Sequence, residues 1–108
     1  MSYDLRVLGP VDEGRAAAAL EAAGAEGDGD ELYLEQNGVA ASFLIRDNEV
    51  GVGVTTLTED DALARAGFRR ILDIVLALSE TLHGRVFDPQ VGRVLGADDA
   101  EEAMRAFG

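Results

Sequence analysis

The chain has 108 residues, a common size for one domain, and 47% of them are hydrophobic while only 6% are aromatic, so its core has to be built mainly from Leu, Val, Ile and Ala. It carries 21 acidic residues against 9 basic ones, all of them Arg, for a formal net charge of -12. Such a polyanion excludes nucleic acid and anionic membrane as favoured direct partners, because both need clustered cations, and the lack of cysteine removes disulfides, thiolate zinc sites and cysteine nucleophiles.

The first predicted element is a strand: Tyr3, Leu5 and Val7 alternate with polar residues and share one face, and Gly9-Pro10 ends the run. From Asp12 to Ala23 the Ala-rich segment predicts a helix with acids in its first turn, stopped by Gly24. Glu26 to Glu31 is expected to be a flexible acidic loop. Leu32 to Glu35 then reads as a second strand, closed by the hairpin signal Asn37-Gly38, and Val39 to Arg46 and Val50 to Thr56 form an antiparallel pair around Asp47-Asn48.

Thr58 is the expected cap of the longest helix, with Asp61 as an imperfect capping-box partner. Gly67, Ile71, Ile74, Val75, Leu78 and Leu82 recur at helical spacing, and Phe68, Leu72 and Leu76 widen the stripe past half the helix's girth. Gly84 is expected to supply the left-handed residue that ends it. A short strand, Arg85 to Asp88, leads into the turn Asp88-Pro89-Gln90-Val91-Gly92 and an optional return strand, Arg93 to Leu95. Asp98, with Glu101 as its capping partner, opens a last amphipathic helix carrying Ala100, Met104 and Phe107. The expected fold is α+β: an antiparallel or mixed sheet of four to five strands with helices mainly on one face, in the order β-α-β-β-β-α-β-(β)-α, over one domain spanning residues 1–108.

Candidate chemistry is sparse. His83 is the sole histidine and stands at a helix C-terminus, where the dipole accounts for it; an enzyme would have to rely on it together with Asp88, across the helix-to-strand turn. Glu26, Asp28 and Asp30 imitate alternate calcium ligands, but an EF-hand loop begun at Glu26 needs glycine at its sixth place and a bidentate acid at its twelfth, where Glu31 and Asn37 stand. Gly51-Val52-Gly53-Val54 lacks the third glycine and the Gly-Lys-Ser/Thr ending of phosphate loops; it reads as a strand with Val50, Val52 and Val54 on one face and bare glycines on the other, where a helix is expected to pack. No catalytic residue, cofactor or metal site is therefore expected. The lack of a basic leader followed by an apolar run, and a longest apolar stretch of only Ile74 to Leu78, lead to the expectation of a cytoplasmic protein.

Met1-Ser2-Tyr3-Asp4-Leu5, together with Leu82-His83-Gly84-Arg85-Val86-Phe87-Asp88-Pro89-Gln90-Val91-Gly92 after the long helix, resembles small bacterial domains, some of which look like immunity proteins of polymorphic or contact-dependent toxin systems. The resemblance implies an acidic protein that neutralises a secreted toxin by plugging its cationic active site. It assigns no role to any residue.

The expected function is thus an acidic protein-binding module with a basic protein partner, such as a toxin. Its candidate contact residues are Asp28, Asp30 and Glu31, then Glu59, Asp60 and Asp61, then Asp98, Asp99 and Glu102. Helix capping explains the last two groups equally well, and solubility or a salt-rich cytoplasm competes as the reason for the overall charge. The alternatives are a small-molecule or sensory domain using the Gly51/Gly53 face, and a self-associating module in the form of a homodimer.

Overall fold

The alternation of small or branched apolar residues with polar ones builds one sheet. The computed structural model describes residues 2–107 and contains strands β1 (Ser2–Leu8), β2 (Glu26–Asp28), β3 (Glu31–Gln36), β4 (Val39–Ile45), β5 (Glu49–Thr56), β6 (Arg85–Asp88) and β7 (Arg93–Leu95). Helices α1 (Glu13–Ala22), α2 (Asp61–Leu82) and α3 (Ala100–Phe107) complete it, the last preceded by a single 3-10 turn, Ala97–Asp99. The strands join in the order β2-β3-β4-β5-β1-β6-β7, and every pairing is antiparallel.

The sheet has seven strands where four to five were expected. The surplus includes β2, which the sequence presents as the flexible acidic loop from Glu26 to Glu31. All three residues of β2 are exposed, so no burial pattern marks it; it forms because Gly29-Asp30 turns the chain back on β3, setting Glu26 opposite Tyr33 and Asp28 opposite Glu31. The optional strand β7 is also present, paired with β6. Between β3 and β4 the turn residues Asn37 and Gly38 both have positive φ, 51° and 76°, as a two-residue hairpin demands.

Alternation then decides the layers. Tyr3, Leu5 and Val7, Leu32 and Leu34, Val39, Ala41, Phe43 and Ile45, and Val50, Val52 and Val54 are buried in one cluster with α2, α1 and α3, whose inward residues include Phe68, Ile71, Val75, Leu20 and Phe107. At about 25 cal/mol per Å2 of apolar surface, each of these larger side chains contributes roughly 1.5 to 3 kcal/mol. Tyr3 meets Phe68 edge-on at 4.8 Å and Phe107 stacks on Phe68 at 4.1 Å, which fastens α3 to α2 and β1. Among the described residues no helix packs on the opposite face of the sheet.

Three local expectations are corrected. α2 is capped by Asp60, whose carboxylate accepts from the Leu63 amide at 3.0 Å, while Thr58 Oγ1 accepts from the Asp60 amide one step earlier. The left-handed residue after α2 is His83, at φ 56°; Gly84 is needed instead for close passage against the Leu8 carbonyl. At the last helix Asp98 is not the cap: the 3-10 turn starts after Gly96, whose amide donates to Asp99 at 2.7 Å.

Candidate functional site

The open face is where the strands present what the core does not need. In register across it lie Glu26, Tyr33, Ser42, Gly53 and Asp4 in one row, and Asp28, Glu31, Leu44, Gly51, Arg6 and Phe87 in the next. No helix packs on the glycines, contrary to expectation: a Cβ added to Gly51 meets nothing within 4 Å, and one on Gly53 meets only the Ser42 hydroxyl at 3.2 Å. The helices are committed to the other side by the valines that alternate with these glycines.

The missing side chains leave a groove. A concavity of about 690 Å3 runs over Ala40, Ser42, Gly53 and Thr55, with Tyr33 and Glu35 on one flank. A second, of about 430 Å3, continues it over Gly51 and Gly53 towards Asp4, Arg6 and Pro89. Tyr33 is 53% exposed, and its hydroxyl donates to Glu31 two residues earlier on the same face, a bond that raises the phenol above its ordinary pKa. Arg6 is the one basic residue lining the groove, and Glu49 lies 3.9 Å from it.

The three acidic groups expected to contact a partner are not brought together. Asp28 and Glu31 lie on the open face beside the groove, whereas Asp30 occupies the hairpin turn, 3.6 Å from Arg46. Glu59, Asp60 and Asp61 stand at the start of α2, where Asp60 is spent on the cap. Asp98, Asp99 and Glu102 are at the opposite edge of the sheet. Arg93 there donates to Asp99 at 3.0 Å and to Glu102 at 2.6 Å; the Gly96 amide, then Arg93, holds the Asp99 carboxyl below its ordinary range, and Arg93 does the same for Glu102. Among the described residues no group of three or more histidines and acids is placed to hold a metal ion.

His83 and Asp88 do not meet. His83 is exposed at the end of α2, and Asp88 is fully buried at the far end of β6. Asp88 accepts from the Tyr3 hydroxyl with one oxygen, and with the other from the Gln90 and Val91 amides at 2.9 and 3.2 Å and from Gln90 Nε2 at 2.7 Å. The Gln90 side chain in turn acts as a peptide unit for β1, accepting from the Asp4 amide at 2.8 Å and donating to its carbonyl at 2.7 Å. The β1–β6 register carried two pairs on would set Pro89 against Asp4, and proline has no N–H to offer. This network is structural, and the Asp88 carboxylate at its centre is buried from solvent.

Sequence reading missed Tyr33, Glu35 and Asp4 as parts of a site. The signal available was the pairing of outward glycines on one strand with a two-residue turn that sets β3 alongside, but it becomes a groove only through the register of four strands. These features define a class by architecture: a two-layer α+β protein with helices on one face of an antiparallel sheet and an acidic, grooved surface on the other. Comparison with protein-family models, with curated proteins and with solved structures gives no match.

Proposed function

We propose that this protein is an acidic binding module that docks a cation-rich protein on its open sheet face, in the manner of a cytoplasmic immunity or inhibitor protein occluding a cationic active site. The observation that carries the reading is the coincidence of the uncovered face, the groove and the unneutralised carboxylates Asp4, Glu26 and Glu35 in one place. Of the acids among the described residues, Asp30, Glu49, Asp73, Asp99 and Glu102 are ion-paired within the chain, which leaves most of the negative field directed outward. A field of that sign accelerates encounter with a basic surface and disfavours anionic ones. The groove lies on a solvated sheet surface, so a protein segment can extend along it, whereas a small ligand there would keep much of its surface wet.

Affinity capture from the native host, followed by stopped-flow association with the recovered partner, tests this. The partner is expected to be basic, and its association rate constant to fall about tenfold or more between low and high salt as the field is screened. A rate constant indifferent to salt, or a captured partner with no basic surface, overturns the reading.

A further inference from the structure

We infer that the groove receives an extended segment of the partner carrying arginine at alternate residues, an inference that rests on the binding reading above. Three features point to this occupant. The walls, β3 on one side and β1 on the other, are separated by β4 and β5, three strand spacings or roughly 14 Å at the backbone, a width that admits a single extended chain with its side chains. The floor between them is Ala40, Ser42, Gly53 and Gly51, small positions over which a backbone can approach, with Leu44 closing the end beside Glu31.

The β3 wall presents Glu31, Tyr33 and Glu35 at a two-residue repeat of roughly 6.6 Å, and an extended ligand repeats its own side chains at the same interval. Successive cations on one side of such a segment therefore fall in step with a carboxylate, an aromatic ring and a second carboxylate. Arginine suits all three, since its planar guanidinium pairs with carboxylates and also stacks on a ring, where the compact ammonium of lysine does the first better than the second. The Tyr33 hydroxyl, engaged by Glu31, keeps the ring beside a negative charge. A second copy of this chain is a poor occupant, because it would bring the same carboxylates against each other.

The test uses a fluorescein-labelled decapeptide of alternating Arg and Ala, read by fluorescence anisotropy at low salt and by amide chemical shifts of the labelled protein. The decisive variant is Gly51→Val/Gly53→Val, which fills the floor and leaves every charge in place. Neither glycine has a left-handed φ, valine favours strands, and the Ser42 hydroxyl can turn from its 3.2 Å contact, so the variant keeps the fold, as a thermal melt will verify. The expected result is a wild-type complex in which the Gly51 and Gly53 amides shift, a loss of affinity of tenfold or more in the double valine variant, and a larger loss in Glu31→Gln/Glu35→Gln than in the equally charged Asp98→Asn/Glu101→Gln on the far side of the molecule. A peptide with its arginines in one block should bind more weakly than the alternating one. Equal binding by the double valine variant, equal losses in the two neutralised variants, or no wild-type binding would each overturn the groove assignment. The broader binding reading is decided separately by the salt dependence of the captured partner, which involves no peptide.

Discussion

Asp88 shows how a single carboxylate can be mistaken for chemistry. It closes β6, follows the lone histidine by five positions, and among the described residues is the one charged side chain that is buried, together with the weakly polar Ser79. Its hydrogen bonds to Tyr3, Gln90 and Val91 account for both oxygens, so it organises a turn instead of awaiting a substrate. Asp88→Ala removes the acceptor, leaves the buried Tyr3 phenol unpaired and frees the Gln90 and Val91 amides of the turn, a loss of about 2 to 3 kcal/mol in urea unfolding. Asp88→Asn keeps one oxygen towards the turn and can donate to the Tyr3 oxygen, so it should cost about 1 kcal/mol.

The same pair predicts an alkaline limit. Burial, reinforced by the hydrogen bond and charge of Asp88, pushes the Tyr3 phenol above its ordinary value of 10.0. The unfolded chain releases this proton at the ordinary value while the folded chain holds it, so the contribution is complete below about pH 10 and is lost as the pH rises beyond it. Urea midpoints measured from pH 8 upward should therefore fall steeply past pH 10 in the wild type and less steeply in Tyr3→Phe. Parallel curves would show that some other group governs the alkaline transition.

At the scale of elements, helix identity was legible and helix ends were not. The stripe of Ile71, Ile74, Val75, Leu78 and Leu82 sits inward as its spacing requires, because only a helix buries that pattern. Asp60 takes the cap instead of Thr58 because α2 begins one residue after Asp60, which places the Leu63 amide within reach of its carboxylate and leaves Thr58 Oγ1 only the Asp60 amide. Gly67 lies within the apolar stripe, yet its role is closeness: an added Cβ would strike the Gln36 carbonyl and come within 3.0 Å of Val39 Cγ2, where α2 crosses the β3–β4 hairpin. Alanine is the better helix former by about 1 kcal/mol, but displacing the hairpin costs more, so Gly67→Ala should lower stability by about 1 to 2 kcal/mol in a denaturant titration. A gain in stability would mean that helix and hairpin separate freely. Strand β2 was unreadable for a different reason, since a Glu-Gly-Asp segment buries nothing and its pairing is imposed by the turn that follows.

At the scale of the whole molecule, one face of the sheet takes all the helices and the other takes the exposed acids of β1, β2 and β3. Both edge strands, β2 and β7, are three residues long and bear charged side chains, which makes edge-to-edge addition of a further strand a poor route to assembly and leaves the face as the larger surface for a partner. Among the described residues no helix is long and apolar enough to cross a membrane.

The amino-acid order determined the alternation of β1, β4 and β5, the hairpin at Asn37-Gly38, the inward stripe of α2 and the sign of the surface field, because each depends on neighbours a few positions apart or on composition alone. It did not determine that β1 lies between β5 and β6, whether a helix covers Gly51 and Gly53, or which carboxylates remain unpaired. Those follow from contacts between segments tens of residues apart, such as Asp4 with Gly53 and Arg6 with Phe87, and a groove assembled from four strands exists only once those registers are set.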